Sequence, residues 1–237
     1  MEISPDAVVL ARLDLGPLGT VALNATLVYT WVVMAILIAG AWAITRRMGP
    51  GRPTSGWCLA VEILIETMRD QIRDVEGKGG DPMRYLPFIG TLFLFIAMAN
   101  LFGQIPRVQS PAGSLSTTVA LALCVLIAVP IYGVAERGLL GYLKNYIEPT
   151  PLMAPFNITG EISRTIALAV RLYGNVMSGT VVVAILLAIA PFFFPVLLQL
   201  LGLLTGMVQA YIFAVLAMVY IASASAGPHT GQTSTGD

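Results

Sequence analysis

Long uncharged runs alternate with short charged ones along this chain. Residues 15 to 45 carry no Asp, Glu, Lys or Arg, and neither do residues 85 to 106 or 108 to 135. From Thr165 to Gly236 a single formal charge, Arg171, stands among 72 residues. About 20 apolar helical residues cross the hydrocarbon layer of a bilayer, so these runs predict an all-α integral membrane protein. Pro191 and Pro195, flanking Phe192, Phe193 and Phe194, split the last run into two helices joined by a tight turn. The pattern gives five transmembrane helices, at roughly 26–45, 85–103, 114–134, 158–190 and 195–224. A helix over 158–190 is about 50 Å long at 1.5 Å per residue, against an apolar layer of about 30 Å, so it tilts strongly or extends past the bilayer.

Residues 55–76 follow a different rhythm. Trp57, Val61, Leu64, Ile65, Met68, Ile72 and Val75 recur at helical spacing, with Glu62, Glu66, Arg69, Asp70, Arg73 and Asp74 between them. That is an amphipathic helix suited to the inner membrane surface. Its carboxylates are read as the solvated face of a connector and not as catalytic groups. Arg46, Arg47, Arg52, Arg69, Arg73, Lys78 and Arg84 lie between the first two spans, whereas the next loop holds only Arg107. The positive-inside rule therefore places residues 46 to 84 in the cytoplasm, with the N-terminus outside and the C-terminus inside. Arg137 and Lys144 in the following inner loop agree.

Residues 1–25 are then an outer N-terminal segment, 26–226 the membrane domain, and 227–237 a disordered cytoplasmic tail rich in Gly, Ser and Thr. The start of the chain is acidic and lacks a small-residue cleavage site after a basic stretch, so the first span is expected to be a retained helix and not a signal peptide.

Composition narrows the chemistry. The chain is 57% hydrophobic and 11% charged, with 13 basic residues balancing 13 acidic ones, so no nucleic-acid partner is expected. Cys58 and Cys124 stand far apart without metal-ligand spacing, and the one histidine, His229, falls in the tail. No cofactor or metal site is expected.

Arg171 is the residue that demands an explanation. A charged side chain near the bilayer centre costs from about 2.5 to well over 10 kcal/mol, depending on the estimate. No acidic residue lies between Arg171 and Asp237, and spans one to three contain none. The partner of this guanidinium is therefore expected on another protein or on a passing ion, since intramembrane ionisable groups mark ion pathways by default. Arg164, Leu168, Arg171, Asn175 and Ser178 recur at spacings of four, three, four and three, on one helix face. In span five Gln209 is the polar residue nearest the middle, with Thr205 one turn earlier and Gly202 and Gly206 thinning the same side. Antiparallel packing of the last two spans brings Gln209 to about the depth of Arg171. An ordinary interhelical hydrogen bond explains Gln209 equally well. Ala167, Ala169 and Gly174 leave room for another helix to approach Arg171.

The run Ala167-Leu168-Ala169-Val170-Arg171-Leu172-Tyr173-Gly174-Asn175-Val176 closely resembles the signature of the a subunits of F-type ATP synthases. Val208 to Ile221 is similar to that family's last helix, and Phe95 to Pro106 to its second span. The resemblance implies a stator in the cell (inner) membrane of a bacterium, with its two long tilted C-terminal helices facing a rotating c ring. It also implies two offset half-channels that carry protons, or sodium ions, to and from that ring. Arg171, Asn175 and Gln209 match the family's ion-translocation residues. Asn100, Gln104, Glu161, Ser163, Arg164, Ser178, Thr180 and Thr205 are candidate lining. The implied partners are the c-subunit ring, the peripheral-stalk b subunits, the soluble catalytic head through the complex, and the lipid bilayer. ATP chemistry belongs to other subunits, and this chain has no P-loop.

Three positions depart from many relatives. Thr180 and Gly202 stand where an acidic and an imidazole group often line the outer half-channel, and Gly103 stands where some members carry Asp. A path without those groups relies on water, Thr180, Asn175, Asn100 and Gln104, and suits sodium as well as protons. The rival reading is a secondary transporter with a midplane substrate site. Against it stand unequal spans without a detectable repeat and the lack of a second intramembrane charge. An intramembrane hydrolase lacks an acid pair or a histidine in the spans.

Overall fold

A computed structural model describes residues 9–14, 20–47, 56–76, 82–105, 110–147, 153–189 and 194–225. The helices are α1 (Ala25–Arg47), α2 (Gly56–Glu76), α3 (Pro82–Phe102), α4 (Leu115–Ile147), α5 (Met153–Ile189) and α6 (Phe194–Ser225). A one-turn 3-10 helix at Pro111–Gly113 leads into α4. Among the described residues, five helices are long and apolar enough to cross a membrane, and α2 is the exception. The expected membrane architecture is therefore the one observed.

α6 is the centre of the bundle and lies against α2, α3, α4 and α5. Its inward face carries Gly206, Gln209, Ala210, Phe213, Ala214, Ala217, Met218, Ile221 and Ala224, all buried. Lipid tails are as apolar as leucine, so close van der Waals contact, and not hydrophobicity, drives helix association in a bilayer. The glycine and alanines of α6 supply that contact. Ile89, Leu92, Phe93, Ile96 and Ala97 of α3 fill the opposing side.

α2 buries Met68 and Ile72, with Leu64 packed beside them, while Glu62, Glu66, Asp70, Arg73 and Asp74 remain exposed. The amphipathic pattern is thus realised on one i, i+4 row, and Ile65 falls outside it, exposed. The Tyr211 hydroxyl donates to Gln71 Oε1 at 2.7 Å, tying α2 to α6. Side chains of Trp57 and Val75 lie outside the described residues, as does the tail from 227.

Three local features differ from the expected spans. α5 begins at Met153, five residues before the expected 158, and its 37 residues make it the longest helix described. At 1.5 Å per residue it measures about 55 Å, so it overshoots the apolar layer further than the hydropathy run suggests. α4 continues past residue 134 to Ile147, broken at Gly138, where φ is +73° and ψ is 162°. L-residues rarely adopt that φ, so glycine lets the chain turn there. Before α1, Val9–Asp14 and Thr20–Asn24 pair as an antiparallel hairpin. Counting charges does not detect it, and Val21-Ala22-Leu23 is an unbroken apolar run without the strict alternation that marks a half-buried strand.

Candidate functional site

Arg171 stands 18 residues from each end of α5, at the helix midpoint. Leu168, Ala169 and Leu172 point into the bundle and are buried, whereas Ala167, Val170, Arg171 and Gly174 are exposed. A side chain added at Gly174 would meet nothing within 4 Å. No hydrogen bond or ion pair joins Arg171 to another described residue, whereas Arg84 at the start of α3 pairs at 3.8 Å with Glu136, which lies in α4 just before the break at Gly138. An apolar helix thus presents one permanent cation, flanked by small residues, on an open face.

A cavity of about 240 Å³ lies between α3, α5 and α6 near the α5–α6 connection. Its polar lining is Asn100, Gln104, Ser110, Asn175, Thr180 and Gln199, all neutral. Local bonding fixes several of these groups. Asn100 Nδ2 donates to the Gly206 carbonyl at 2.9 Å. Ser110 Oγ donates to the Ala99 carbonyl at 2.9 Å, and a Cβ on Gly103 would stand 2.8 Å from the Ser110 Cβ. The absence of a side chain at position 103 is therefore coupled to Ser110, which fills the space an Asp would need. Thr180 is exposed and donates to the Met177 carbonyl at 2.9 Å, a bond within its own helix that leaves its oxygen able to accept. Gly202 opens the cavity toward Gln104, whose Nε2 lies 3.6 Å from where a Cβ would be.

At the opposite end of α5 and α6 a second cavity, of about 370 Å³, is lined by Phe156, Asn157, Gly160, Glu161, Arg164, Ser223 and Ala224. A narrower space of about 20 Å³ adjoins it, sharing Glu161, Arg164 and Ser223 and adding Val125, Leu126, Val129, Thr165 and Tyr220. The Arg164 guanidinium carbon sits 5.5 Å from the centroid of the Tyr220 ring. Arg171 lines neither the first nor the second cavity. It lies between them, about 6 Å along the helix axis from Asn175 and about 10 Å from Arg164.

Gln209 is 7% exposed, and its Nε2 is buried with no hydrogen-bond partner among the described residues. Counted from the α5–α6 connection, Arg171 lies about 27 Å along α5 and Gln209 about 22 Å along α6. The two residues are thus close in depth, but no hydrogen bond joins them: Gln209 faces inward and Arg171 outward.

The candidate residues therefore separate into groups. Asn100, Gln104, Asn175 and Thr180 meet in the first cavity, and Glu161 and Arg164 in the second. Ser163, Ser178 and Thr205 are exposed and line none of these spaces. The hydroxyls of Ser178 and Thr205 donate to carbonyls of their own helices. Ser110, Gln199, Tyr220 and Ser223 line cavities without having been singled out from sequence. Gln199 was detectable, because Gln199, Gly202, Gly206 and Gln209 recur at spacings of three, four and three on one face of α6.

Residues 27–222 match the family described as ATP synthase A chain. The chain is 57% identical over 225 residues to ATP synthase subunit a 1 of Chlorobaculum parvum, covering 95% of this chain and 96% of that protein. It is 54% identical over 225 residues to ATP synthase subunit a 2 of Acaryochloris marina, covering 95% and 93% respectively. It is 53% identical over 237 residues to ATP synthase subunit a 1 of Crocosphaera subtropica, covering 100% and 99%. With apolar helices able to cross a membrane, a matched segment spanning most of the sequence and relatives alike end to end, the chain belongs to the ATP synthase subunit a family of multi-pass membrane proteins.

Proposed function

We propose that this chain is the stator ion-channel subunit of an F-type ATP synthase. The observation that carries the reading is Arg171, exposed at the midpoint of α5 between two polar cavities near opposite ends of the bundle. The first cavity serves as the outer half-channel and the second as the inner one. The open face of α5 and α6 meets the c ring, whose carboxylates supply a countercharge for Arg171.

The mechanism follows from the charge. An arginine guanidinium stays protonated under all working conditions. A loaded rotor carboxylate gives up its ion into one half-channel as it nears Arg171, pairs with the guanidinium, and takes up another ion from the other half-channel after passing. Because the guanidinium lies between the cavities, a cation cannot cross directly from one to the other. Each elementary charge moved across 100 mV supplies about 2.3 kcal/mol, which biases rotation. Gln209, with a buried amide donor facing the bundle interior, organises water or the helix contact behind Arg171.

In this role the chain binds no cofactor and catalyses no ATP chemistry. It sits in the bacterial cell (inner) membrane with its N-terminus outside and its C-terminus in the cytoplasm. It assembles with the c ring, the peripheral-stalk b subunits and, through the complex, the catalytic head. Purification from native membranes tests this directly. The chain should co-purify with a c ring and stalk subunits; a chain that instead purifies alone and binds a small solute would establish the transporter reading.

The first cavity suits sodium ions as well as protons. Its polar lining consists of amides and hydroxyls, whose oxygens suit a hard cation. ATP-driven transport by the whole complex in the presence of a protonophore separates the two ions. Sodium uptake that survives the protonophore establishes sodium coupling, and its collapse establishes protons.

A further inference from the structure

The second cavity is not a simple vestibule. Its wide part, about 370 Å³, and its narrow extension, about 20 Å³, share Glu161, Arg164 and Ser223. Arg164 therefore stands at the junction. Val125, Leu126 and Val129 of α4 wall the narrow side, opposite Glu161, Thr165, Tyr220 and Ser223. Tyr220, half-buried and packed against the core, presents its ring to the guanidinium at 5.5 Å. A guanidinium over an aromatic face is held by the ring quadrupole, weakly enough to be reversible. Glu161 lies one turn earlier on the same face of α5, lines both spaces and is itself engaged by a neighbour.

We propose that Arg164, held on the ring of Tyr220, is an electrostatic gate at the junction of the wide and narrow parts of the inner cavity, limiting how readily a cation passes that neck. The inference rests on the half-channel reading and adds a residue that sets access from one side only. The chemistry is like-charge repulsion. A fixed positive charge about 6 Å from a cation path in water-like surroundings changes the passage of a monovalent cation about 3-fold, and more as water is excluded. Tyr220 is a positioning residue: it acts by keeping the guanidinium in the neck. The first cavity has no charged group in its lining, so the two access paths differ in kind and the effect is one-sided.

The test uses the whole complex reconstituted in vesicles. ATP-driven pumping is measured against the transported-ion concentration on the inner side, and ATP synthesis against that on the outer side. Arg164→Gln should lower the inner-side concentration for half-maximal pumping about 3-fold and leave the outer-side value unchanged. Tyr220→Leu should shift it in the same direction, Tyr220→Phe should match the wild type because the aromatic face is kept, and the Arg164→Gln, Tyr220→Leu double variant should go no further than Arg164→Gln alone. Arg164 is exposed, so Arg164→Gln removes no buried packing and decides the matter even if Tyr220→Leu fails to assemble. An unchanged inner-side value in Arg164→Gln, or equal shifts on both sides, overturns the gate. Arg171→Ala measured alongside tells the two readings apart. Uncoupling there with no shift in Arg164→Gln sinks only the gate, whereas normal coupling there sinks the half-channel reading and the gate with it.

Discussion

The Asn100 amide donates to the Gly206 carbonyl at 2.9 Å, joining α3 to α6 at the wall of the first cavity. The contact exists because position 206 has no side chain: a Cβ there would stand 3.0 Å from Asn100 Cγ. Gly206→Ala should push the Asn100 amide out of line and break this bond. Interhelical hydrogen bonds of this kind contribute about 0.6 kcal/mol on average in membranes, so assembly should survive while coupled flux falls about 3-fold. Flux assays on the purified, fully assembled variant check this, and an unchanged rate would show that the position of Asn100 does not limit the outer path.

Thr180 supplies an oxygen to the same cavity but keeps its hydroxyl proton within α5. Thr180→Leu should slow coupled ion flux without preventing assembly, because it removes hydration and polarity and leaves the cation at Arg171 in place. Normal flux in an assembled Thr180→Leu complex would show that this side chain only packs.

Much of this architecture was legible in the sequence, and the reasons are physical. A bilayer tolerates few charges, so charge-free runs set the spans, and the cost of burying a cation made Arg171 conspicuous at once. The second cavity was less visible, since Tyr220 and Ser223 look like ordinary residues near a helix end. Their place beside Arg164 comes from the packing of a neighbouring helix, which no local spacing encodes. The link between Gly103 and Ser110 was hidden for the same reason: the pair is seven residues apart and meets only after the chain turns into the 3-10 helix. The start of α5 was missed because Met153–Asn157 is helical yet includes Pro155, and proline is tolerated in a first helical turn.

The asymmetry of Lys and Arg around the first span predicts its orientation. Single cysteines introduced at Ser4 and at Gly79, in a background carrying Cys58→Ala and Cys124→Ala, should react with impermeant reagents from opposite sides of the membrane. Ser4 should label from outside and Gly79 from the cytoplasm. Reaction of both from one side would mean that the first helix does not cross.

Arg171→Ala should abolish ion-coupled ATP synthesis while leaving assembly largely intact. The side chain is exposed and makes no hydrogen bond or ion pair with a described residue, so its removal takes away a costly intramembrane charge and no packing anchor. Arg171→Lys should also be severely impaired. It keeps a charge but loses the planar multi-donor head, and a lysine that is poorly solvated can give up its proton, which arginine does not. The alanine variant should further leak ions passively, because nothing then prevents a charged rotor site from passing straight between the two cavities. Reconstituted vesicles read both effects: synthesis driven by an imposed gradient, and decay of that gradient without nucleotide. Wild-type synthesis with a tight membrane in Arg171→Ala would remove the cation from the mechanism, and with it the account of how the two cavities are kept apart.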